Sequence, residues 1–388
     1  MHVVADDSAA TNQGAGIGRY ARNVVRAAIL ADDEIDWTLA YTAPGRGEPP
    51  FLGEAFAGLA GRDRVEVRRL PLPGPWMTRL WHRARLPLPI QLLTGRRADI
   101  VYSPDLVVAP SGRAPRVPTV HDLAFLVHPE LYPPKLRRYL RAVTDRQLAA
   151  AAHVVTVSEA SRVDLIERAG VRPERISIVP NGADGRFFDA TPPDGALRAR
   201  LGLPEAYLLT VGSIEPRKNH LNLFAALDHL PPADRLPLVV AGRAGWGNEA
   251  IMAELRRRER DTSAIFLPDM PDDALPALYA GAAAMVYPAW YEGFGIPVIE
   301  ALAAGTPVVI NDTPALREAA GQHGIVADAS DPPALAAAIR LALSSDFQDP
   351  ASRTPRQTWA RRWDWAVSGQ MLVDVLRTVV AERRSATA

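Results

Sequence analysis

The segment WYEGFGIPVIEALAAGTPVV, residues Trp290–Val309, carries two carboxylates, Glu292 and Glu300, with seven residues between them. AMVY (284–287) precedes it, and its end runs into PVVI (307–310). Apolar runs this short and continuous suit strands buried on both faces, as in a parallel sheet with crossover helices. Between them Pro297 fits the first turn of a helix, so Gly293, Phe294, Gly295 and Ile296 form its entry. The order is therefore strand, glycine-rich loop, helix, strand. Glu292 falls in the loop and Glu300 about one turn inside the helix. A carboxylate there gains about 0.3–1 kcal/mol from the helix dipole. Its neighbours Ile299, Ala301 and Leu302 predict burial, where an unpaired carboxylate is costly. A vicinal diol, as on ribose or a hexose, offers two adjacent donors that would satisfy it.

The same punctuation extends in both directions. WTLAY (37–41), DIVYS (99–103), VPTV (117–120), HVVTV (153–157) and ISIV (176–179) form one series, after a short strand near Val3–Val4. YLLTV (207–211), PLVVA (237–241), AIFL (264–267), AMVY, PVVI and GIVA (324–327) form a second. Gly, Pro and Asp dominate the gap from 180 to 206, which reads as a linker with a short helix. Two doubly wound α/β domains joined near 182–200 follow. Because ligands bind beyond the carboxyl ends of such strands, facing domains would offer a cleft between them.

Composition narrows the function. With 388 residues, 48% hydrophobic and 23% charged, the chain is an ordinary globular protein too long for one core. Lys+Arg and Asp+Glu both number 44, which argues against nucleic acid as a partner. The absence of cysteine excludes disulfides and thiolate catalysis and fits a cytoplasmic protein. No apolar run reaches membrane-spanning length, and MHVVADDSAA is no secretory leader.

Three further loops follow predicted strands. NQGAGIGRYARN (12–23) places Gly14, Gly16 and Gly18 before a helix, but Arg19 breaks the G-x-G-x-x-G pattern. The glycines either serve a turn needing positive φ or expose amides to an anion. TVHDLAFLVHPE (119–130) puts His121 and Asp122 at a strand end; Asp122 would fix the imidazole tautomer or cap the next segment. VGSIEPRKNHLNLFAAL (211–227) sets Arg217 and Lys218 at a helix start, against the macrodipole, which a bound phosphate would reconcile. The alternative is a solvated basic turn. There is no G-x-x-x-x-G-K-[ST] loop, no G-x-S-x-G elbow, no D-x-D and no paired spacing among the eight histidines, so no required metal is expected.

In this order, GAGIGRY, TVHDLAFLVHPE, VTVSEASRVDL, ISIVPNGAD, VGSIEPRKNHLNL and YEGFGIPVIEALAAGTPVV resemble the family-4 retaining glycosyltransferases with the GT-B fold, mannosyltransferases among them. The resemblance implies two Rossmann-like domains facing across a cleft. Residues 1–183 would bind the acceptor and 184–357 the nucleotide sugar, with a C-terminal helix, about 358–388, crossing back to the first domain. It implies that Glu300 holds the ribose and that Glu292, with the amides of Gly293, Phe294, Gly295 and Ile296, lies by the transferred sugar. Arg217 and Lys218 would neutralise the diphosphate, Gly16 would support it, and His121 would contact the sugar near the reacting centre. The reaction implied is metal-independent transfer with retention, from a nucleotide-diphosphate hexose to a glycan, lipid-linked or small-molecule hydroxyl. GDP-mannose is the preferred donor, with UDP-glucose and deoxysugar nucleotides open.

Arg62–Arg97 contains nine arginines and two acids, with Trp76 and Trp81. It reads either as a peripheral contact with the inner face of an anionic membrane or as a partly exposed helix of the acceptor domain. Two rival functions use the same chain: a sugar-nucleotide epimerase, which would show no acceptor dependence, and a catalytically silent glycan-binding subunit. The joint presence of His121, Arg217, Lys218, Glu292 and Glu300 speaks against the second.

Overall fold

The computed structural model describes the chain except residues 15, 46, 60, 84, 85, 87, 269, 387 and 388, and the side chains of 78, 82 and 83. The strands are β1 (His2–Asp6), β2 (Asp36–Tyr41), β3 (Val65–Arg69), β4 (Ile100–Ser103), β5 (Arg116–Val120), β6 (Val154–Thr156) and β7 (Ile176–Ile178) in the first half. The second half has β8 (Leu208–Val211), β9 (Leu238–Ala241), β10 (Ala264–Leu267), β11 (Ala284–Tyr287), β12 (Val308–Asn311) and β13 (Gly324–Ala327). Four helices matter below: α1 (Gly16–Ala31), α2 (His220–Asp228), α3 (Ile296–Ala303) and α4 (Trp365–Ser385).

Two compact units result, Met1–Gly182 with Asp364–Ala388, and Ala183–Trp363. The chain returns to the first unit at Asp364, later than the expected 358. Side chains explain the delay. Buried Arg356 donates to the Gly305 carbonyl at 2.9 Å, Gln357 to Ala303 at 3.1 Å and Trp359 to Ala319 at 2.8 Å. These bonds hold the helix Arg353–Ala360 on the second unit.

Among the described residues each unit holds one parallel sheet. The first runs β3-β2-β1-β4-β5-β6-β7 and the second β10-β9-β8-β11-β12-β13. Every expected apolar run is a strand, and β4, β9, β11 and β12 are buried along their whole length. The sequence reading missed β3. VEVRR lies at the sheet edge and ends in exposed Arg68 and Arg69, so its strand character comes from pairing with β2 rather than from a continuous apolar run. In both sheets the strand order reverses at the middle, between β1 and β4 and between β8 and β11. The carboxyl ends at such a switch point are where open α/β sheets take ligands.

In the first unit α4 packs on α1, burying Leu372, Val373, Leu376, Val379 and Val380. The approach is close at Gly369, where a Cβ would lie 2.4 Å from the Ala27 carbonyl carbon. Arg377 adds ion pairs to Asp32 (2.5 Å) and Glu34 (3.0 Å), exposed enough to contribute little. Gly369→Val should therefore push α4 off α1 and lower stability by about 1–3 kcal/mol. Val367→Ala, at a half-exposed position of the same helix, should stay within about 0.5 kcal/mol. Denaturant unfolding of both variants tests this; equal stabilities would contradict the packing.

Candidate active site

At the switch point of the second unit, the loops after β8 and β11 meet. Gly212 leaves β8 at φ +150°, and Pro216 starts a single 3-10 turn, Pro216–Lys218. Asn219 ends that turn in the left-handed region (φ +58°), which asparagine tolerates better than most residues. Its buried amide donates to the carbonyls of Pro288 (3.1 Å) and Ala329 (3.0 Å), tying the loop after β8 to those after β11 and β13. Asn311 repeats the device, donating to Ala289 (3.0 Å) and accepting from Ala329 N–H (3.0 Å). Trp290 N–H bonds the Arg217 carbonyl at 2.9 Å. The loop pair is thus fixed through its backbone.

On this frame four charged side chains close together. Arg217 donates from Nε (3.1 Å) and Nη2 (2.8 Å) to Glu215 Oε1, and from Nη1 to the Tyr291 carbonyl (2.8 Å). The same Nη1 pairs with Glu292 Oε2 at 3.0 Å. Lys218 Nζ donates to Glu292 Oε1 (2.6 Å) and to the Tyr287 hydroxyl (2.7 Å). That hydroxyl in turn donates to Glu292 Oε1 at 3.2 Å. Lys218 Nζ also lies 5.1 Å from the Tyr287 ring centroid. The four charged side chains are only 10–13% exposed.

Burial alone would push the Glu292 carboxyl up, but the charges and hydrogen bonds of Arg217 and Lys218 overcome it and hold it at about 2. Burial, reinforced by Arg217, keeps Lys218 below an ordinary lysine despite Glu292. Burial and the Glu292 charge raise the Tyr287 phenol well above its usual range. His220, the first residue of α2, is buried and held down at about 4 by burial and by Lys218, so it is neutral. The expected conflict between two cations and a helix start is resolved within the chain, by Glu215 and Glu292. The solvated-turn alternative does not hold.

Pro297 lies in the first turn of α3 and Gly295 precedes it at φ +113°, as the entry loop requires. A Cβ on Gly295 would come 2.9 Å from Leu316 Cδ2. Phe294 is buried edge-on against Trp363, ring centroids 5.0 Å apart. Glu300 is buried on α3 and accepts from the Tyr279 hydroxyl at 3.1 Å.

The remaining predicted residues, Gly16 and His121, belong to the first unit. Gly16 starts α1. Neither Gly14 nor Gly18 has a positive φ; a Cβ would strike Phe51 at 2.6 Å from Gly14 and the Gln13 carbonyl oxygen at 1.8 Å from Gly18. Close contact, not backbone handedness, explains these glycines. His121 Nε2 bonds the Pro104 carbonyl at 2.8 Å, so this nitrogen carries the proton, and Tyr20 meets the ring edge-on at 4.9 Å. Asp122 takes no part in fixing that tautomer. It accepts from Ala124 N–H at 2.9 Å and caps the next segment.

Sequence reasoning missed Glu215, Tyr287, Asn219 and Asn311. Glu215 stands beside the flagged cations, a signal that could have found it. At the switch point of the first unit it also missed Asp6 and Asp7, buried carboxyls that burial pushes to about 6 and about 8. In the basic segment, Trp81 is core, its Nε1 bonded to the Leu88 carbonyl at 3.1 Å, while Trp76 is 57% exposed. Part of that segment, including Arg85, lies outside the described residues. Among the described residues no helix is long and apolar enough to cross a membrane.

Comparison with known proteins agrees along most of the chain. The family model described as "Glycosyltransferase Family 4" matches residues 14–186, and "Glycosyl transferases group 1" matches 196–358. The chain is 29% identical over 359 residues to the O-antigen chain mannosyltransferase B of Escherichia coli, covering 90% of this chain and 92% of that one. It is 31% identical over 288 residues to a D-inositol 3-phosphate glycosyltransferase of Acidothermus cellulolyticus, 70% of this chain and 64% of the relative. Among solved structures, HepE of Anabaena in complex with UDP and glucose superposes with a TM-score of 0.72 at 22% identity, over 97% of this chain and 100% of that one. Sucrose-phosphate synthase of Thermosynechococcus elongatus does so with a TM-score of 0.72 at 19% identity, covering 98% and 99%.

The charge cluster sets a pH dependence. Glu292 falls from a usual 4.5 to about 2 on folding, so its stabilisation is complete above about 4.5 and is lost as pH falls toward 2. Glu292→Gln leaves two buried cations short of a counter-charge and should cost about 3 kcal/mol at pH 7. That deficit should shrink as acid protonates Glu292 in the unaltered protein. Unfolding measured from pH 7 to pH 2 checks this, and a constant deficit would contradict the ion pairing.

Proposed function

Because the chain belongs to the family-4 glycosyltransferases of the GT-B type, we propose that it moves a hexose from a nucleotide-diphosphate sugar to an acceptor hydroxyl with retention at the anomeric carbon. The observation that carries this reading is the buried cluster of Arg217, Lys218 and Glu292 at the switch point of the second unit, one short helix entry away from Glu300. The negative charge of the transition state develops on the departing diphosphate, so preorganised cations aimed at it contribute most. Arg217 and Lys218 take that role. Glu300 accepts hydrogen bonds from the ribose hydroxyls. Glu292 and the backbone at Gly293, Phe294, Gly295 and Ile296 position the sugar.

Gly16 and His121 contribute from the first unit, which takes the acceptor. In this scheme the leaving phosphate oxygen receives the acceptor's proton while the new bond forms on the same face of the sugar. Protein cations do the work a divalent metal does elsewhere, so no metal is required.

GDP-mannose is the favoured donor, because relatives named as mannosyltransferases match, one over 92% of its length. HepE, solved with UDP and glucose, keeps a UDP-sugar as the second choice. The acceptor is a glycan, lipid-linked or small-molecule hydroxyl, met in the cytoplasm. Exposed Trp76, Leu72 and Leu92 beside the arginines of 62–97 support a peripheral contact with the inner membrane face.

Lys218→Ala should lower kcat/KM for the donor by about 10²–10³-fold without unfolding the protein; unchanged turnover would remove the diphosphate role. Glu300→Ala should weaken binding of the free nucleoside diphosphate about tenfold, as expected for a lost charged hydrogen bond. Transfer should survive EDTA, and a strict need for Mg²⁺ or Mn²⁺ would overturn the scheme. Product formed without an acceptor would favour the epimerase; sugar binding without turnover would favour the silent subunit.

A further inference from the structure

The cations assigned to the diphosphate are already neutralised. Arg217 and Lys218 carry two positive charges, Glu215 and Glu292 two negative ones, and all four are largely buried. A donor taking the same N–H groups must compete with a resident acid. The two acids hold the cations differently. Glu215 binds one edge of Arg217, accepting from Nε and Nη2 through Oε1. Its loop is pinned on both sides, by Ile214 N–H to the Arg243 carbonyl (2.9 Å) and Lys218 N–H to its own carbonyl (3.1 Å).

Glu292 instead bridges both cations with its two oxygens, Oε2 to Arg217 Nη1 at 3.0 Å and Oε1 to Lys218 Nζ at 2.6 Å. A single anionic group with two acceptor oxygens spanning an arginine and a lysine is also what a phosphate presents to such a pair.

We propose that the Glu292 carboxylate occupies the place of a donor phosphate, and that a nucleoside diphosphate binds by exchanging with it while Glu215 keeps Arg217 oriented. The inference rests on the donor reading above and specifies how that site is entered. Rotation of the Glu292 side chain releases the N–H that each of Arg217 Nη1 and Lys218 Nζ gives to it, while Nη1 keeps its bond to the Tyr291 carbonyl. Tyr287, 2% exposed and bonded to both Lys218 and Glu292, stays with the ammonium as its acceptor. The released carboxylate is then available to sugar hydroxyls. When the spent diphosphate leaves, the carboxylate returns and the buried cations are never without a partner. Apparent affinity for the diphosphate is therefore lowered by the strength of the internal pair.

The consequence runs against the usual expectation for a binding-site residue. Removing Glu292 should tighten the diphosphate. Isothermal titration of GDP, UDP and dTDP in metal-free buffer identifies which one the unaltered protein binds, and that nucleotide is then the probe. Glu292→Gln, which keeps the shape and removes the charge, should lower its Kd about tenfold, while transfer falls because the sugar loses its positioner. Glu292→Asp, which withdraws the carboxylate by one methylene, should lower Kd by a smaller factor and decides the matter if Glu292→Gln does not fold. Either folded variant binding the probe no more tightly than the unaltered protein overturns the exchange and leaves the donor reading intact. Failure of the unaltered protein to bind any of the three overturns both.

Discussion

Buried charge cannot stand alone, and the second unit is arranged around that constraint. Each of Arg217, Lys218, Glu215 and Glu292 would be expensive to desolvate singly; together they are tolerable because every one has a partner at hydrogen-bond distance. Such a cluster works only if its members are held by a frame that does not depend on them. The Asn219 and Asn311 amides, bonded to backbone carbonyls of neighbouring loops, supply that frame. Beneath them lie β8, β11 and β12, buried throughout apart from Val211, which is half-buried at the loop end of β8. Sheet, amide clamps and charge cluster thus form a sequence of dependence, with the chemistry at its end.

Much of the architecture was legible because a parallel sheet buried on both faces leaves a plain mark, short Val/Ile-rich runs between helical segments. β3 left no such mark, since an edge strand with exposed Arg68 and Arg69 draws its conformation from a neighbour. The site was legible where residue type and local position conflict, as with Arg217 and Lys218 at a helix start or Glu300 in an apolar helix. It was illegible where the type fits its place. Tyr287 ends a buried run, AMVY, and reads as ordinary core until its hydroxyl is seen between Lys218 and Glu292. Glu215 contacts Arg217 only because the Pro216 turn folds the side chains onto one side. At Gly14 and Gly18 the positive-φ alternative fails, and the steric contact with Phe51 and Gln13 that takes its place leaves no mark in local pattern.

The two units also differ in how their switch points handle charge. In the second, Glu215 and Glu292 meet cations, and Arg217 and Lys218 hold the Glu292 carboxyl far below its usual range. In the first, burial pushes Asp7 up to about 8, so near neutral pH a proton takes the part that an arginine or lysine plays in the other unit, while Asp6, raised only to about 6, stays mostly ionised and accepts from the Ser8 hydroxyl. One sheet end thus balances its buried charge with counter-charges, and the other holds in Asp7 a protonated carboxyl able to donate as well as accept.

The packing of α4 on α1 has a consequence for how the molecule is made. Residues 1–182 emerge from the ribosome early, with the seven strands described for their sheet, yet the apolar face of α1 stays uncovered until α4, Trp365–Ser385, has been synthesised. The whole second unit is translated in between and can fold before the first is finished. Nascent chains therefore pass through a long interval in which an incomplete first unit trails a complete second one. A premature stop between Trp363 and Leu372 would leave a sound second unit tethered to an unsealed partner, a natural target for chaperones and proteases.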